Sequence, residues 1–138
     1  MSDGRVSELT ETQCREHLER HEHRLGRLAF AEGGDPNWPT VLPVNYAYHD
    51  DDVFIRTVEG SKLYAALRRQ RVAFEVDAVD LDWRQGWSVV ALGTLEIVRD
   101  RQLRATVDAV LRSWVAQAGE QLLRLDIERM TGREILGA

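Results

Sequence analysis

The sequence predicts one domain of the α+β class: a six-stranded, mostly antiparallel β-barrel, closed or half-open, with helices in its connections. Three observations predict this fold. A chain of 138 residues suits a single hydrophobic core. Short apolar segments with the period of a strand recur between turn residues along most of the chain. Two further segments with helical period interrupt them.

The chain is expected to begin with a flexible segment, residues 1–9, because this stretch is mostly polar. A helix is predicted over residues 10–22, since Thr10 and Gln13 have the spacing of a capping box. Its apolar face is thin, which predicts a surface helix packed along one edge of the domain. The residues of that face are Leu9, Cys14 and Leu18.

Three strands are predicted next, joined as a meander: residues 25–30, 40–48 and 53–58. Only a short acidic link separates the second from the third, so these two are expected to form an antiparallel hairpin. Pro43 lies within the second strand. Because proline lacks a backbone donor, this strand is expected at a sheet edge or a bulge, where a ligand can approach the backbone.

The remaining elements are two helices and three strands. The period predicts a short helix at 61–70 with Ser61 as its N-cap, strands at 71–79 and 87–98, a helix at 103–118 and a sixth strand at 122–127. The long helix is expected to bury an apolar face that includes Val110 and Trp114.

Composition narrows the function classes. Hydrophobic residues make up 43% of the chain and charged residues 30%, and the net charge is -5, so general binding to nucleic acid is not supported. No apolar stretch is long enough to cross a bilayer. Cys14 is the only cysteine and has no partner for an intramolecular disulfide, which favours the reducing cytoplasm.

A candidate phosphate site lies where the third strand runs into the next helix. Arg56, Thr57, Ser61 and Lys62, the only lysine, are grouped there around Gly60. Guanidinium, hydroxyl and ammonium groups together with free N–H groups at a helix start are the donors that a phosphate monoester needs. The spacing matches neither the P-loop nor the dinucleotide-binding fingerprint.

Five short sequence blocks follow one another in the order found in a known protein family. Through these blocks, residues 10–135 resemble the pyridoxamine 5'-phosphate oxidase-like flavoproteins, which have the FMN-binding split-barrel fold. The blocks are GRLAF at 26–30, VLPVNY at 41–46, FIRTVEGSK at 54–62, VAFEVD at 72–77 and GWSVVALG at 86–93. On this resemblance, residues 10–138 form an FMN-binding split-barrel domain.

The resemblance implies a homodimer with FMN at the subunit interface and a flavin-dependent oxidoreductase acting on an unidentified small molecule. It assigns the phosphate to Arg56, Thr57, Ser61 and Lys62. It places the isoalloxazine ring along Leu42, Pro43, Val44 and Asn45, and brings Trp87 and Ser88 from the partner chain. No catalytic acid, base or nucleophile is predicted, because the cofactor carries the redox chemistry.

Several alternatives stay open. The tail at 124–133 contains no histidine, so the chain is not expected to be a true pyridoxamine phosphate oxidase. A deazaflavin-dependent reductase and a non-catalytic flavin- or haem-binding module are the rival functions. His17 and His21 share a helix face, but a surface cluster is favoured over a metal site. Glu75 and Asp77 share a strand face without an expected catalytic role.

Overall fold

The computed structural model describes residues 4–21, 24–32, 38–58, 67, 70–111 and 120–137. Within them lie eight strands and two helices. In chain order these are β1 Arg5–Glu8, α1 Glu11–Arg20, β2 Leu25–Glu32, β3 Trp38–Asn45, β4 Ala47–His49, β5 Asp52–Val58, β6 Arg71–Asp80, β7 Gln85–Ile97, α2 Arg101–Asp108 and β8 Glu120–Leu136.

The strands form one curled sheet in the order β3-β2-β6-β7-β8-β5-β4, and every pairing in it is antiparallel. The segment 38–49 supplies both end strands, because it breaks at Tyr46 between β3 and β4. The Tyr46 N–H donates to the Arg24 carbonyl at 2.9 Å. One bent segment therefore brings the two ends of the sheet together as a half-barrel, which confirms the predicted fold class.

The strand count differs from the six expected. The predicted second strand is two strands, of which β3 pairs with β2 and β4 forms the expected hairpin with β5. Pro43 lies in β3, an end strand of the sheet, as its missing donor predicts. Residues 5–8, within the segment expected to be flexible, form β1 and pair with the end of β8.

The barrel interior holds the larger of two hydrophobic clusters, and α1 contributes to it. Cys14 and Leu18 are fully buried there. The expectation of a surface helix was wrong, because two apolar residues four positions apart are enough to bury one face of a short helix against the barrel core. The Tyr46 hydroxyl donates to the Leu18 carbonyl at 2.9 Å and fixes this contact. The predicted capping box of Thr10 and Gln13 is present.

The second cluster lies between α2 and the outer side of β5 and β8, and it includes Phe54, Val107 and Leu122. Helix α2 ends at Asp108, earlier than the predicted end, and Val110 is therefore 61% exposed rather than buried. Trp114 lies outside the described residues, as does most of the helix predicted at 61–70. No helix in the described ranges is long and apolar enough to span a membrane.

Candidate functional site

The first feature of the site is a buried hydroxyl at the end of β5. Thr57 is 6% exposed, and its Oγ1 has no hydrogen-bond partner among the described residues. Its side chain faces the barrel interior with Val53 and Ile55, because alternate residues of a strand share a face. An unpaired buried hydroxyl costs about 1–3 kcal/mol, so this atom is suited to pairing with a ligand.

Arg56 points to the other side of β5. Its guanidinium contacts the Asp108 carboxylate at the end of α2 at 2.5 Å and Glu120 at 3.7 Å. Adjacent residues of a strand face opposite sides of the sheet, so the side chains of Arg56 and Thr57 leave β5 on opposite faces, whereas the sequence predicted that both would contact one phosphate. The other two predicted phosphate ligands, Ser61 and Lys62, lie outside the described residues.

Strand β3 carries the four residues predicted to lie along a flavin ring. Leu42 and Val44 pack against the interior cluster, whereas Pro43 is exposed and Asn45 is half-buried. Among the described strands, β3 pairs only with β2, so its outer backbone edge has no strand partner. Cα atoms of β3 and β5 approach within 8 Å. The closure of the barrel thus brings the predicted ring strand beside the strand of Thr57.

Trp87 and Ser88 lie near the start of β7 and face opposite sides of it. The Trp87 ring stacks on His17 with 4.2 Å between centroids and meets His21 edge-on at 5.6 Å. Burial lowers the pKa of His17, although the charge of Glu134 acts in the opposite direction. The two histidines of the sequence cluster are therefore in contact with an aromatic ring. No group of three or more potential metal ligands occurs in the described ranges.

Ser88 belongs to the outer face of the sheet, where the predicted carboxylate pair of Glu75 and Asp77 is joined by a cation that the sequence did not predict. Arg27 on β2 contacts Glu75 at 3.2 Å and Asp77 at 3.3 Å, both on β6. Burial and the neighbouring Asp77 raise the pKa of Glu75 to about 7. The sequence shows that the two carboxylates share a face. Their cation comes from another strand, however, and only the register of β2 with β6 reveals it.

Comparison with known proteins agrees with this architecture. A family model described as pyridoxamine 5'-phosphate oxidase matches residues 10–134. The chain belongs to the pyridoxamine 5'-phosphate oxidase family. One relative, the uncharacterized protein Rv0080 of Mycobacterium tuberculosis, is 32% identical over 116 residues, which cover 80% of this chain and 74% of that protein.

Two solved structures are similar to the whole domain. An FAD-binding protein of Mycobacterium smegmatis is 31% identical with a TM-score of 0.76, covering 93% of this chain and 98% of that one. An FAD-binding protein of Mesorhizobium loti is 30% identical with a TM-score of 0.80, covering 96% and 98%. The resemblance stated from the five sequence blocks is therefore confirmed at the level of family and fold.

Proposed function

We propose that this chain binds a flavin, as FMN or through the FMN half of FAD, and acts as a flavin-dependent oxidoreductase on a small molecule. The observation that carries the proposal is the buried, unpaired Oγ1 of Thr57 on β5, the strand that β3 approaches where the barrel closes. A phosphate oxygen is a strong acceptor for such a hydroxyl. The similar FAD-binding proteins of Mycobacterium smegmatis and Mesorhizobium loti support the same cofactor class.

In this proposal Thr57, Ser61 and Lys62 bind the flavin phosphate. Arg56 is a structural residue, because Asp108 and Glu120 already hold its guanidinium on the other face. A bound flavin would supply hydride or electron transfer, and the chain's own residues bind and orient it. The free edge of β3 at Leu42, Pro43, Val44 and Asn45 offers backbone groups to the isoalloxazine ring, although proline contributes only a carbonyl there.

The proposal includes a homodimer formed through the outer face of the sheet. Register aligns one row of mainly apolar side chains across this face: Val41, Ala29, Ala73, Leu92 and Arg129. Of these, Val41 is 60% exposed in the single chain. Packing two such faces together would bury the apolar residues of that row, with Arg129 at its border, and bring the segment of Trp87 and Ser88 against the partner's flavin. The single, buried Cys14 fits the proposed cytoplasmic location.

The test is the visible absorption spectrum of the purified protein, recorded again after addition of FMN or FAD and removal of the excess. Retained flavin bands, with one flavin per chain, are the expected result. Lys62→Ala is expected to lose the bands, and Arg71→Ala, at an exposed arginine on β6, serves as the matched control. A protein that retains added deazaflavin but neither FMN nor FAD, or one that shows an intense Soret band after addition of haem, would overturn the proposal.

A further inference from the structure

A groove of about 660 Å³ lies on the outer side of the sheet, where the end of β1 meets β7 and β8. Its walls include Glu8, Ser88, Val90, Arg129, Thr131 and Arg133. A volume of this order is typical of sites for nucleotides and other small molecules. The groove is separate from Thr57, which faces the barrel interior at the far end of the paired strands.

Register places the polar side chains of this groove in a defined row. Arg129, Thr131 and Arg133 occupy alternate positions of β8 and so share its outer face. The strand pairing places Arg129 opposite Leu92 and Arg133 opposite Ser88. Arg129 and Arg133 therefore line the groove at the two ends of this row, with Thr131 between them on β8 and Ser88 beside Arg133 on β7.

Neither arginine is neutralised by a neighbour. No ion pair within 4.0 Å involves Arg129 or Arg133 in the described part of the chain. Glu8 is the one carboxylate lining the groove, and it lies opposite Arg133 in the pairing of β1 with β8. Glu75 and Asp77 lie across β7 from the groove, opposite Val90 and Ser88, and Arg27 contacts these two carboxylates at 3.2 and 3.3 Å. The lining therefore keeps an excess positive charge although the whole chain carries -5.

We propose that this groove binds the phosphate or carboxylate group of a small anionic molecule. Arginine recognises such groups through paired hydrogen bonds, and the two hydroxyls add donors of the right kind. The identity of the anion rests on the proposed function. Because Ser88 belongs to the segment proposed to face the partner's flavin, the anion is either the acidic end of the substrate or the second phosphate of FAD.

Binding of inorganic pyrophosphate to the flavin-free protein tests the groove itself. Calorimetric titration is expected to give measurable binding to the wild-type chain and at least tenfold weaker binding to the double variant Arg129→Ala/Arg133→Ala. Both side chains are exposed, so the fold is expected to survive, which a thermal unfolding curve checks. Arg71→Ala is the control, with unchanged affinity. Equal affinity in the double variant, or no binding to the wild type, would overturn the proposal.

Flavin titrations then separate the two sources of the anion. Weaker binding of FAD but not FMN to the double variant assigns the groove to the second phosphate of FAD. Unchanged affinity for both flavins, together with lost pyrophosphate binding, assigns it to the substrate. If the wild type binds pyrophosphate through these arginines but binds no flavin, the proposed function fails while the anion site stands.

Discussion

The substitution Thr57→Val separates two effects of the buried hydroxyl: its cost to the stability of the flavin-free protein and its contribution to flavin binding. Valine has nearly the same shape as threonine and removes only the unpaired Oγ1. Because a buried hydroxyl without a partner costs about 1–3 kcal/mol, its removal is expected to raise the free energy of unfolding of the flavin-free protein by about 1 kcal/mol. That gain corresponds to a rise in Tm of about 3 °C for a domain of this size.

The same substitution is expected to weaken flavin binding. Loss of a hydrogen bond to a charged phosphate is worth about 1.5–3 kcal/mol, which makes the Kd about tenfold to a hundredfold higher. Stability and affinity therefore change in opposite directions. A residue with only a packing role would not give this combination, since valine preserves the packing.

Chemical denaturation of the flavin-free protein and quenching of flavin fluorescence on titration measure the two quantities. Thr94→Val, at a half-buried threonine on β7, is the matched control and is expected to change neither. A Thr57→Val variant that loses 1 kcal/mol of stability would mean that the hydroxyl already has a partner. A flavin affinity within a factor of two of the wild type would refute the phosphate assignment.

Three further predictions follow from other contacts. Arg56→Ala is expected to destabilise the protein by about 1 kcal/mol, because it loses its carboxylate contacts, and to leave the FMN affinity within about threefold of the wild type. Lys62→Ala is expected to weaken FMN binding about tenfold. Denaturation measures the stability of the two variants, and fluorescence titration measures their FMN affinity. The pKa of Glu75 is about 7 in the folded state, so the folded protein binds a proton that the unfolded chain has released between about pH 4.5 and pH 7. Wild-type stability is therefore expected to fall as the pH rises through that range. Glu75→Gln is expected to flatten this dependence of stability on pH. Gly93→Ala would place a Cβ against the Asp126 carbonyl oxygen at a bulge, and it is expected to lower the free energy of unfolding by about 3 kcal/mol. In Gly4→Ala the new Cβ would meet its nearest atom at 3.6 Å, so this variant is expected to be neutral in the same denaturation assay.

Local patterns predicted the parts of the fold that depend on local physics. The alternation of Val72, Phe74 and Val76 indicated the buried side of β6, and all three residues are at most 4% exposed. The capping box of Thr10 and Gln13 marked the start of α1. These features follow from chain geometry over a few residues, so the sequence alone contains them.

Features that depend on distant residues could not be read in the same way. The break at Tyr46 exists because β3 pairs with β2 while β4 pairs with β5, which is a consequence of barrel closure. Strand periodicity alone predicts that Arg56 and Thr57 face opposite sides of β5. Because both side chains are phosphate donors, however, they were expected to contact the same phosphate. The partners of Arg56 could not be found, because Asp108 is 52 residues away along the chain.

The groove lined by Arg129 and Arg133 could be predicted from the sequence only in part. The tail was predicted as a strand only over residues 122–127, whereas β8 runs to Leu136. Once the strand is extended, the alternation of Arg129, Thr131 and Arg133 is visible in the sequence itself. Their convergence with Ser88 still required the register of β7 with β8, which no local pattern supplies.

A crystal structure of the protein with FMN is the most direct test of the proposed flavin site. We expect a phosphate oxygen within hydrogen-bond distance of Thr57 Oγ1, the isoalloxazine ring along the free edge of β3, and the Arg56 guanidinium still bound to Asp108. A flavin whose phosphate contacts Arg56 on the other face of β5 while Thr57 stays unpaired would contradict it.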